Sequence, residues 1–462
     1  MRIIILGAGR VGESVAENLA SEQNDITVID PDPERLRRLE DRLELRGVIG
    51  NGIQPSVLRN AGAQDADMFV ACTPQDETNL VACKIAHDVF NVPTRIARVR
   101  SPEIKDSEAL LGPDGFAVDR VICPEDSVTR YIRQLVEYPE ALQALQFSQG
   151  RVCLVAVRVS GHSDLAGRTV GEFSQEHGEM NFRIVAIYHL GEEIVCDSAS
   201  RVCAGDEVFV LVAREQANQV LRAIGSANQP VRRVMIVGGG RVGLSLARSL
   251  AGQCAVKVIE HDRLRCKYLA GELPDSLVLL GDAADEDLLR NENVGEMDLF
   301  VAVTSDDEDN ILSAMLAKRM GARRVMALVN RRAYADMLEG SAIDIAISPA
   351  HAVIGELLTH VRRGAVVAVH SLRRGAAEAL EGVARGSAKT SRLVGRRIDE
   401  IELPQGARFG AIVRGSADDE LQVLMPHHDT LIESEDHVII FLPHKRMVGE
   451  VEKLFQVRAT FF

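Results

Sequence analysis

The residues most able to do chemistry in this chain are six glycines in two matching loops. Gly7-Ala8-Gly9-Arg10-Val11-Gly12 recurs as Gly238-Gly239-Gly240-Arg241-Val242-Gly243, and the copies lie 231 residues apart in a chain of 462. In a G-x-G-x-x-G loop between a strand and a helix, each glycine has its own task. The first (Gly7, Gly238) makes the tight turn out of the strand. The second (Gly9, Gly240) lets the backbone approach a pyrophosphate, and the third (Gly12, Gly243) lets helix pack closely on strand. Backbone N–H groups at the helix start then face the phosphates, with the helix dipole adding attraction. All twelve loop residues are therefore candidate contacts. Arg10 and Arg241 either add a guanidinium to phosphate binding or remain solvated.

Further candidates follow each loop. Asp30 and Glu260 stand 18 and 17 residues past the third glycine, at the ends of the expected second strands. A carboxylate there accepts from ribose hydroxyls and repels a 2′-phosphate, which favours NAD(H) or an adenine nucleotide over NADP(H). Asn51 and Asp282 close the third strands, Thr73 and Thr304 the fourth, on the side where open α/β sheets bind ligands. Arg98 closes the fifth strand, within reach of a phosphate or carboxamide, but its counterpart is Val329. The two sites are thus expected to differ chemically. Ser-His-acid sets, H-E-x-x-H and P-loop motifs do not occur, and no C-x-x-C pair suggests a metal site. The histidines His427-His428 read as surface residues of a polar turn.

These loops need sheets to hold them, and the repeat extends accordingly. Ile3 to Leu6 is matched by Val234 to Val237, Ile26 to Asp30 by Val256 to Glu260, and Asp67 to Thr73 by Asp298 to Thr304. Asp76-Glu77-Thr78-Asn79 is matched by Asp307-Glu308-Asp309-Asn310. Short apolar runs alternating with helical patterns predict βαβ units and parallel sheets. The fold class is α/β: two tandem Rossmann-like domains, each followed by a small α+β module. The expected segments are 1–140 and 231–363 for the Rossmann units, and 141–226 and 364–462 for the modules. Pro124 through Tyr138 reads as helix, and strand-like alternation begins at Arg151. The Ala-, Glu- and Arg-rich stretch around Leu372 to Arg385 is expected to be helical. Ala227-Asn228-Gln229-Pro230 reads as the linker between the halves.

Composition excludes several functions. A net charge of −14, no tryptophan and few aromatic residues argue against a nucleic-acid partner. The same charge disfavours unaided docking on an anionic lipid surface. No apolar run reaches the ~18 residues of a transmembrane helix, and Met1-Arg2-Ile3 leads directly into the first strand, so no signal peptide is expected. The eight cysteines are expected to be small buried hydrophobes in a reducing cytoplasm.

The doubled glycine loop, the Asp76-Glu77-Thr78-Asn79 motif and the turn Ala204-Gly205-Asp206-Glu207-Val208 together resemble the regulator-of-potassium-conductance family in its tandem two-copy form. The resemblance covers essentially the whole chain. It implies a cytoplasmic regulatory subunit rather than an enzyme, peripheral on the inner membrane. Such a subunit would assemble as a homo-oligomeric ring beneath a Trk-type potassium-translocating membrane protein and bind NAD(H), ATP or ADP. By the family's pattern, the Gly7 to Val11 loop, Asp30, Asn51, Thr73-Pro74 and Arg98 line the first site. Gly239 to Gly243, Glu260, Asp282, Thr304 and Leu328 line the second. Pro74, where the second copy has Ser305, and Val329 in place of an arginine depart from that pattern. The competing reading is a soluble NAD-dependent oxidoreductase with a duplicated fold, though neither small module offers an obvious proton-transfer residue.

Overall fold

A computed structural model describes residues 1–20, 24–225, 229–338, 341–361, 365–373, 376–415 and 421–457. The boundaries expected at 226, 363, 364 and 462 lie outside these residues, as do Ala227 and Asn228 of the expected linker.

The first sheet contains β1 (Arg2–Leu6), β2 (Asp25–Asp30), β3 (Arg46–Ile49), β4 (Met68–Ala71), β5 (Thr94–Arg98) and β6 (Arg120–Ile122), in the order β3-β2-β1-β4-β5-β6. Its central strands are buried on both faces, as runs such as Ile3-Ile4-Ile5-Leu6 require of a parallel sheet. The chain crosses outward from β1 to β2 and β3, then returns to place β4 on the other side of β1. That reversal opens a crevice at the carboxyl ends of β1 and β4, where such sheets bind ligands. Helices cover both faces. In the same compact unit, the helix Pro349–Val361, contributed by the second half of the sequence, packs on the helix Arg10–Ala20. Ser127 Oγ, at the start of the helix Pro124–Glu137, donates to Glu356 Oε1 on that incoming helix at 3.0 Å.

The second unit contains the two five-stranded sheets and most of a second Rossmann-type sheet. After β7 (Ala141–Phe147), β8 (Val152–Arg158), β9 (Phe182–His189), β10 (Glu192–Ile194) and β11 (Glu207–Ala213) comes that Rossmann-type sheet. It comprises β12 (Arg233–Val237), β13 (Ala255–Glu260), β14 (Leu277–Leu280), β15 (Leu299–Ala302), β16 (Val325–Leu328) and β17 (Ile345–Ile347), in the order β14-β13-β12-β15-β16-β17. The register repeats as well. Leu6 pairs with Ile29 and Ala71, and Val237 with Ile259 and Ala302. Arg324, largely buried, donates to the carbonyls of Pro139 and Ala141 and so ties the approach to β7 to this sheet.

The last five strands are β18 (Val366–Leu372), β19 (Ala377–Val383), β20 (Arg408–Arg414), β21 (Gln422–Leu424) and β22 (His437–Leu442). Their order, β18-β19-β22-β20-β21, repeats the β7-β8-β11-β9-β10 order of the first small sheet. The two five-stranded sheets share one core. Phe147, Leu154 and Phe209 pack in one cluster with Leu372, Ala379 and Phe441, and the Phe209 and Phe441 rings lie 6.4 Å apart. Equivalent arginines are exchanged across it: Arg183 Nη1 donates to Phe409 O at 3.1 Å, and Arg408 Nη1 to Val185 O at 2.7 Å. This is the reciprocity expected of a two-fold interface, here within one chain.

Two sequence expectations are corrected here. The Leu372–Arg385 stretch is not a helix: Leu372 ends β18, and Ala377–Val383 forms β19. Its helix-forming residues are overridden because β19 is a central strand, hydrogen-bonded on both edges and buried along its whole length. The first small sheet also starts before Arg151. β7 departs from simple alternation: its register on β8 shifts between Ala141 and Gln143, and its buried residues, Ala141, Ala144 and Phe147, are spaced by three. Five of the eight cysteines are buried, and all eight are free thiols; Cys203 is exposed.

One buried polar cluster joins the two small sheets. Glu381, on β19, accepts from Ser148 N at 2.8 Å and Ser148 Oγ at 2.9 Å, and pairs with His437 Nδ1 at 2.5 Å. Burial pushes the Glu381 carboxyl up, but the bonds from His437 and Ser148 outweigh it and hold the carboxyl below its usual range. The bond to Glu381 raises His437 in spite of partial burial. The raised His437 contributes stability that is complete below the ordinary histidine value of about 6.5 and is lost as pH rises through its folded value. The lowered Glu381 contributes stability that is complete above the ordinary glutamate value of about 4.3 and is lost as pH falls through its folded value. Stability of the second unit should therefore fall as pH is taken from about 6 towards 8. In thermal denaturation His437→Gln should flatten that slope, and an unchanged slope would remove the pair as its source.

Candidate nucleotide-binding clefts

Both loops take the same shape. Gly7 and Gly238 have φ of +104° and +96°, a conformation open to glycine at little cost. A Cβ on Gly12 would lie 1.8 Å from Gly7 O, and one on Gly243 1.9 Å from Gly238 O, so a side chain at either is impossible without moving the loop. Gly9 and Gly240 are the opposite case, with nothing within 4 Å of a Cβ. The third glycine is demanded by the protein's own packing. The second faces open space, as approach of a ligand requires. The helices then begin at Arg10 and Arg241, both exposed. No side chain caps the Gly240 helix start.

The carboxylates close the loops from behind. Asp30, at the end of β2, accepts from Ala8 N at 2.7 Å and Asp32 N at 2.9 Å. Glu260, at the end of β13, accepts from Gly239 N at 2.8 Å and Asp262 N at 2.9 Å. Both are buried. A carboxylate offers about four acceptor positions, so each retains capacity for a hydroxyl after bracing its loop.

Thr73 and Thr304 follow β4 and β15, and sequence reasoning did not identify what fixes them. Asn79, wholly buried, accepts at Oδ1 from Thr73 N at 2.9 Å and Thr73 Oγ1 at 2.7 Å, and its Nδ2 donates to Thr73 O and Arg98 O at 3.0 and 2.8 Å. Asn310 repeats the arrangement on Thr304, accepting from N and Oγ1 at 2.8 Å each and donating to Thr304 O at 3.2 Å. The repeated Asp-x-x-Asn motif was the available signal. Asp76 Oδ2 adds bonds from Arg100 N at 2.8 Å and Ser101 N at 2.9 Å, fixing the turn after β5.

The remaining candidates are placed less uniformly. Asn51 and Asp282 lie two residues past their strands and accept from Ile53 N at 3.2 Å and Ala284 N at 2.8 Å. Pro74 offers its carbonyl to Arg100 Nη1 at 3.3 Å. Arg98 ends β5 with its guanidinium largely buried and paired to Glu125 at 3.1 Å, while Nε has no hydrogen-bond partner. Its charge reaches the buried Cys72 thiol, which burial nonetheless pushes up to about 12. Val242 and Val11 lie in the first helical turns. Leu328 ends β16 and is buried, as is Val329 beside it. The strand registers correct the expected pairing: Ala97 and Ala327 hold equivalent places beside Ala71 and Ala302, so Leu328, not Val329, is the counterpart of Arg98, the link before β16 being one residue shorter than that before β5. His427 and His428 are exposed beyond β21. Among the described residues, no group of three or more His, Cys, Asp or Glu side chains could hold a metal ion.

Two Rossmann-type sheets, each with a braced glycine loop, define a protein of the tandem Rossmann-fold class. The TrkA-N domain matches residues 3–124 and 234–349, and the TrkA-C domain residues 388–456. The chain is 48% identical over 457 residues to the Trk system potassium uptake protein TrkA of Vibrio alginolyticus, covering 99% of both chains. It is also 48% identical to that of Halomonas elongata over 462 residues, covering 100% of both. The chain therefore belongs to the TrkA family of potassium uptake proteins. Its fold is also that of the solved GsuK channel, with a TM-score of 0.62 at 20% identity, over 98% of this chain and 78% of that one. A structure described as the GsuK channel bound to NAD matches with a TM-score of 0.60 at 19% identity, over the same shares. Potassium transport and a regulatory, non-enzymatic role go with this family, which sets the chain apart from oxidoreductases with the same loop.

The glycines give a direct test. Gly12→Ala should cost about 1–3 kcal/mol, the range for overpacking, whereas Gly9→Ala should leave thermal stability of the ligand-free protein unchanged. Equal losses in a thermal melt would contradict the division between a packing glycine and a ligand-facing one.

Proposed function

We propose that this chain is the cytoplasmic, nucleotide-sensing regulatory subunit of a Trk-type potassium uptake system. In this reading NAD(H), ATP or ADP occupies clefts at the two glycine loops, and homo-oligomeric rings of the chain gate a potassium-translocating membrane partner. The observation that carries it is the duplicated loop, where the third glycine is sterically required and the second is left open in both copies. Segments 1–140, 141–226, 231–363 and 364–462 are its units in this reading. The named relatives supply the potassium system, and the NAD-bound GsuK channel supplies a fold neighbour with a nucleotide.

The residues divide the work by chemistry. Loop N–H groups and the helix starts at Arg10 and Arg241 receive phosphate oxygens. Asp30 and Glu260, already fixed by their loop bonds, accept from ribose hydroxyls. Thr73 and Thr304, held by Asn79 and Asn310, present fixed backbone at the crevice. Arg98 supplies a cation in the first cleft that Leu328, at the same strand end, cannot supply in the second. A nucleotide then shifts the assembly only in so far as it binds one shape more tightly than another. No helix among the described residues is long and apolar enough to cross a membrane, so this reading assigns translocation to the partner. An oxidoreductase reading has no support among the full-length relatives.

Two outcomes test this. Asp30→Ala should weaken NADH far more than NADPH in calorimetric titration, since removing the carboxylate removes both a ribose acceptor and the repulsion of a 2′-phosphate. Equal loss for the two would refute the ribose assignment. In cells, the chain should fractionate partly with membranes and leave them when the Trk-type partner is deleted, and retention without that partner would count against gating.

A further inference from the structure

The helix Arg263–Glu272, which follows β13, carries a feature that its counterpart in the first half lacks. Arg265 Nε donates to the carbonyl of Gly239, the middle residue of the glycine run, at 2.7 Å. Its guanidinium lies 4.7 Å from the centroid of the Tyr268 ring, one helical turn on. Tyr268 is 48% exposed, so this is a solvent-facing aromatic surface rather than a core side chain. Leu269, next in sequence, is buried, and its Cδ1 would lie 2.2 Å from a Cβ on Gly239, so the helix is seated closely against the loop. Glu260 Oε2 holds the N–H of that same glycine. The carboxylate and the arginine–tyrosine pair are thus linked through one residue.

We propose that Arg265 and Tyr268 form a stacking shelf for the purine base of a nucleotide whose ribose is held by Glu260, and that this shelf sets the base preference of the second cleft. The inference rests on the nucleotide-sensing reading above. An aromatic face and a guanidinium plane are the surfaces on which bases stack, and larger purines gain more from them than pyrimidines. The guanidinium is pre-placed by its bond to the loop, so little side-chain order is lost on binding. A 2′-phosphate is the other chemistry an arginine beside a ribose can recognise. Here the Glu260 carboxylate disfavours it. In the first half the equivalent arginine, Arg35, turns to Asp32 at 3.2 Å, and Arg38 occupies the position of Tyr268. The shelf belongs to the second cleft alone.

The test uses the full chain carrying Gly9→Asp, which blocks the first loop with a carboxylate. Titration with ADP, UDP, NADH and NADPH then reads the second cleft. ADP should bind more tightly than UDP. Tyr268→Ala should weaken ADP about tenfold, within the range for loss of one stacked base, while Tyr268→Phe should retain it. Arg265→Ala should likewise narrow the gap between ADP and UDP. ADP affinity undiminished by Tyr268→Ala would overturn the shelf while leaving the nucleotide reading intact. Tighter binding of NADPH than of NADH would assign Arg265 to a 2′-phosphate and overturn it as well. Failure of every nucleotide to bind the Gly9→Asp protein, with circular dichroism showing it folded, would overturn the second cleft as a nucleotide site and the shelf with it.

Discussion

Each cleft depends on a contact that leaves no room for a side chain. The helix after β1 can start where it does only because Gly12 lies against the carbonyl of Gly7, and the same approach joins Gly243 to Gly238. Once helix and strand are that close, the loop between them has little freedom. Its first N–H bonds the carbonyl of the neighbouring strand, and its second falls to the carboxylate at that strand's end. The carboxylate is then fixed by the loop it fixes. Asn79 and Asn310 extend this to the opposite side of the crevice by holding the turns after β4 and β15. Under the proposed function, a ligand binding there would leave less ordering cost to offset.

A rigid cleft is useful to a regulator only if something beyond it responds. In the first unit, Arg98 at the end of β5 is paired to Glu125 at the start of the helix Pro124–Glu137, and two residues on Ser127 bonds Glu356 of the helix supplied by the second half. Charge at the end of β5 is therefore connected by short side-chain links to an element from elsewhere in the chain. In the second unit, the two small sheets share one core and exchange arginines reciprocally. Neither can be displaced without disturbing the other's packing. The duplicated sequence thus folds as an internally paired protein rather than as two independent copies.

Much of this was legible in the sequence because it is local. The glycine loops, the strand ends and the acids 17 or 18 residues on are set by βαβ geometry, which a short window records. The small sheets were harder to read. Ala377–Val383 has the composition of a helix and becomes a strand because its neighbours, β18 and β22, and the facing sheet bury it. β7 hid behind a bulge that broke its alternation. The asparagines at 79 and 310 were visible as a repeat, but nothing local says that a buried amide will satisfy a threonine six residues back. The destination of the helix Pro349–Val361, in the unit built by the first half of the sequence, depends on tertiary packing that no local pattern records.

The differences between the halves follow from what repetition leaves unconstrained. Positions that build the frame are locked by sterics and repeat: the three glycines, the strand-end acid and the buried asparagine. Positions that touch only the ligand or its surroundings are free to diverge. Arg98 stands where the other copy has Leu328, Pro74 where it has Ser305, and Arg38 where it has Tyr268. None of these exchanges alters the path of the backbone, since the strand registers around both loops agree. Under the proposed function, the Arg98 guanidinium would favour charge at the phosphate end of the first cleft. Under the inference above, the aromatic ring and guanidinium of the helix Arg263–Glu272 would offer a base a flat surface in the second cleft. One duplicated frame can in this way present two chemically distinct receptors, with the frame conserved by packing and the chemistry set by a few side chains around it.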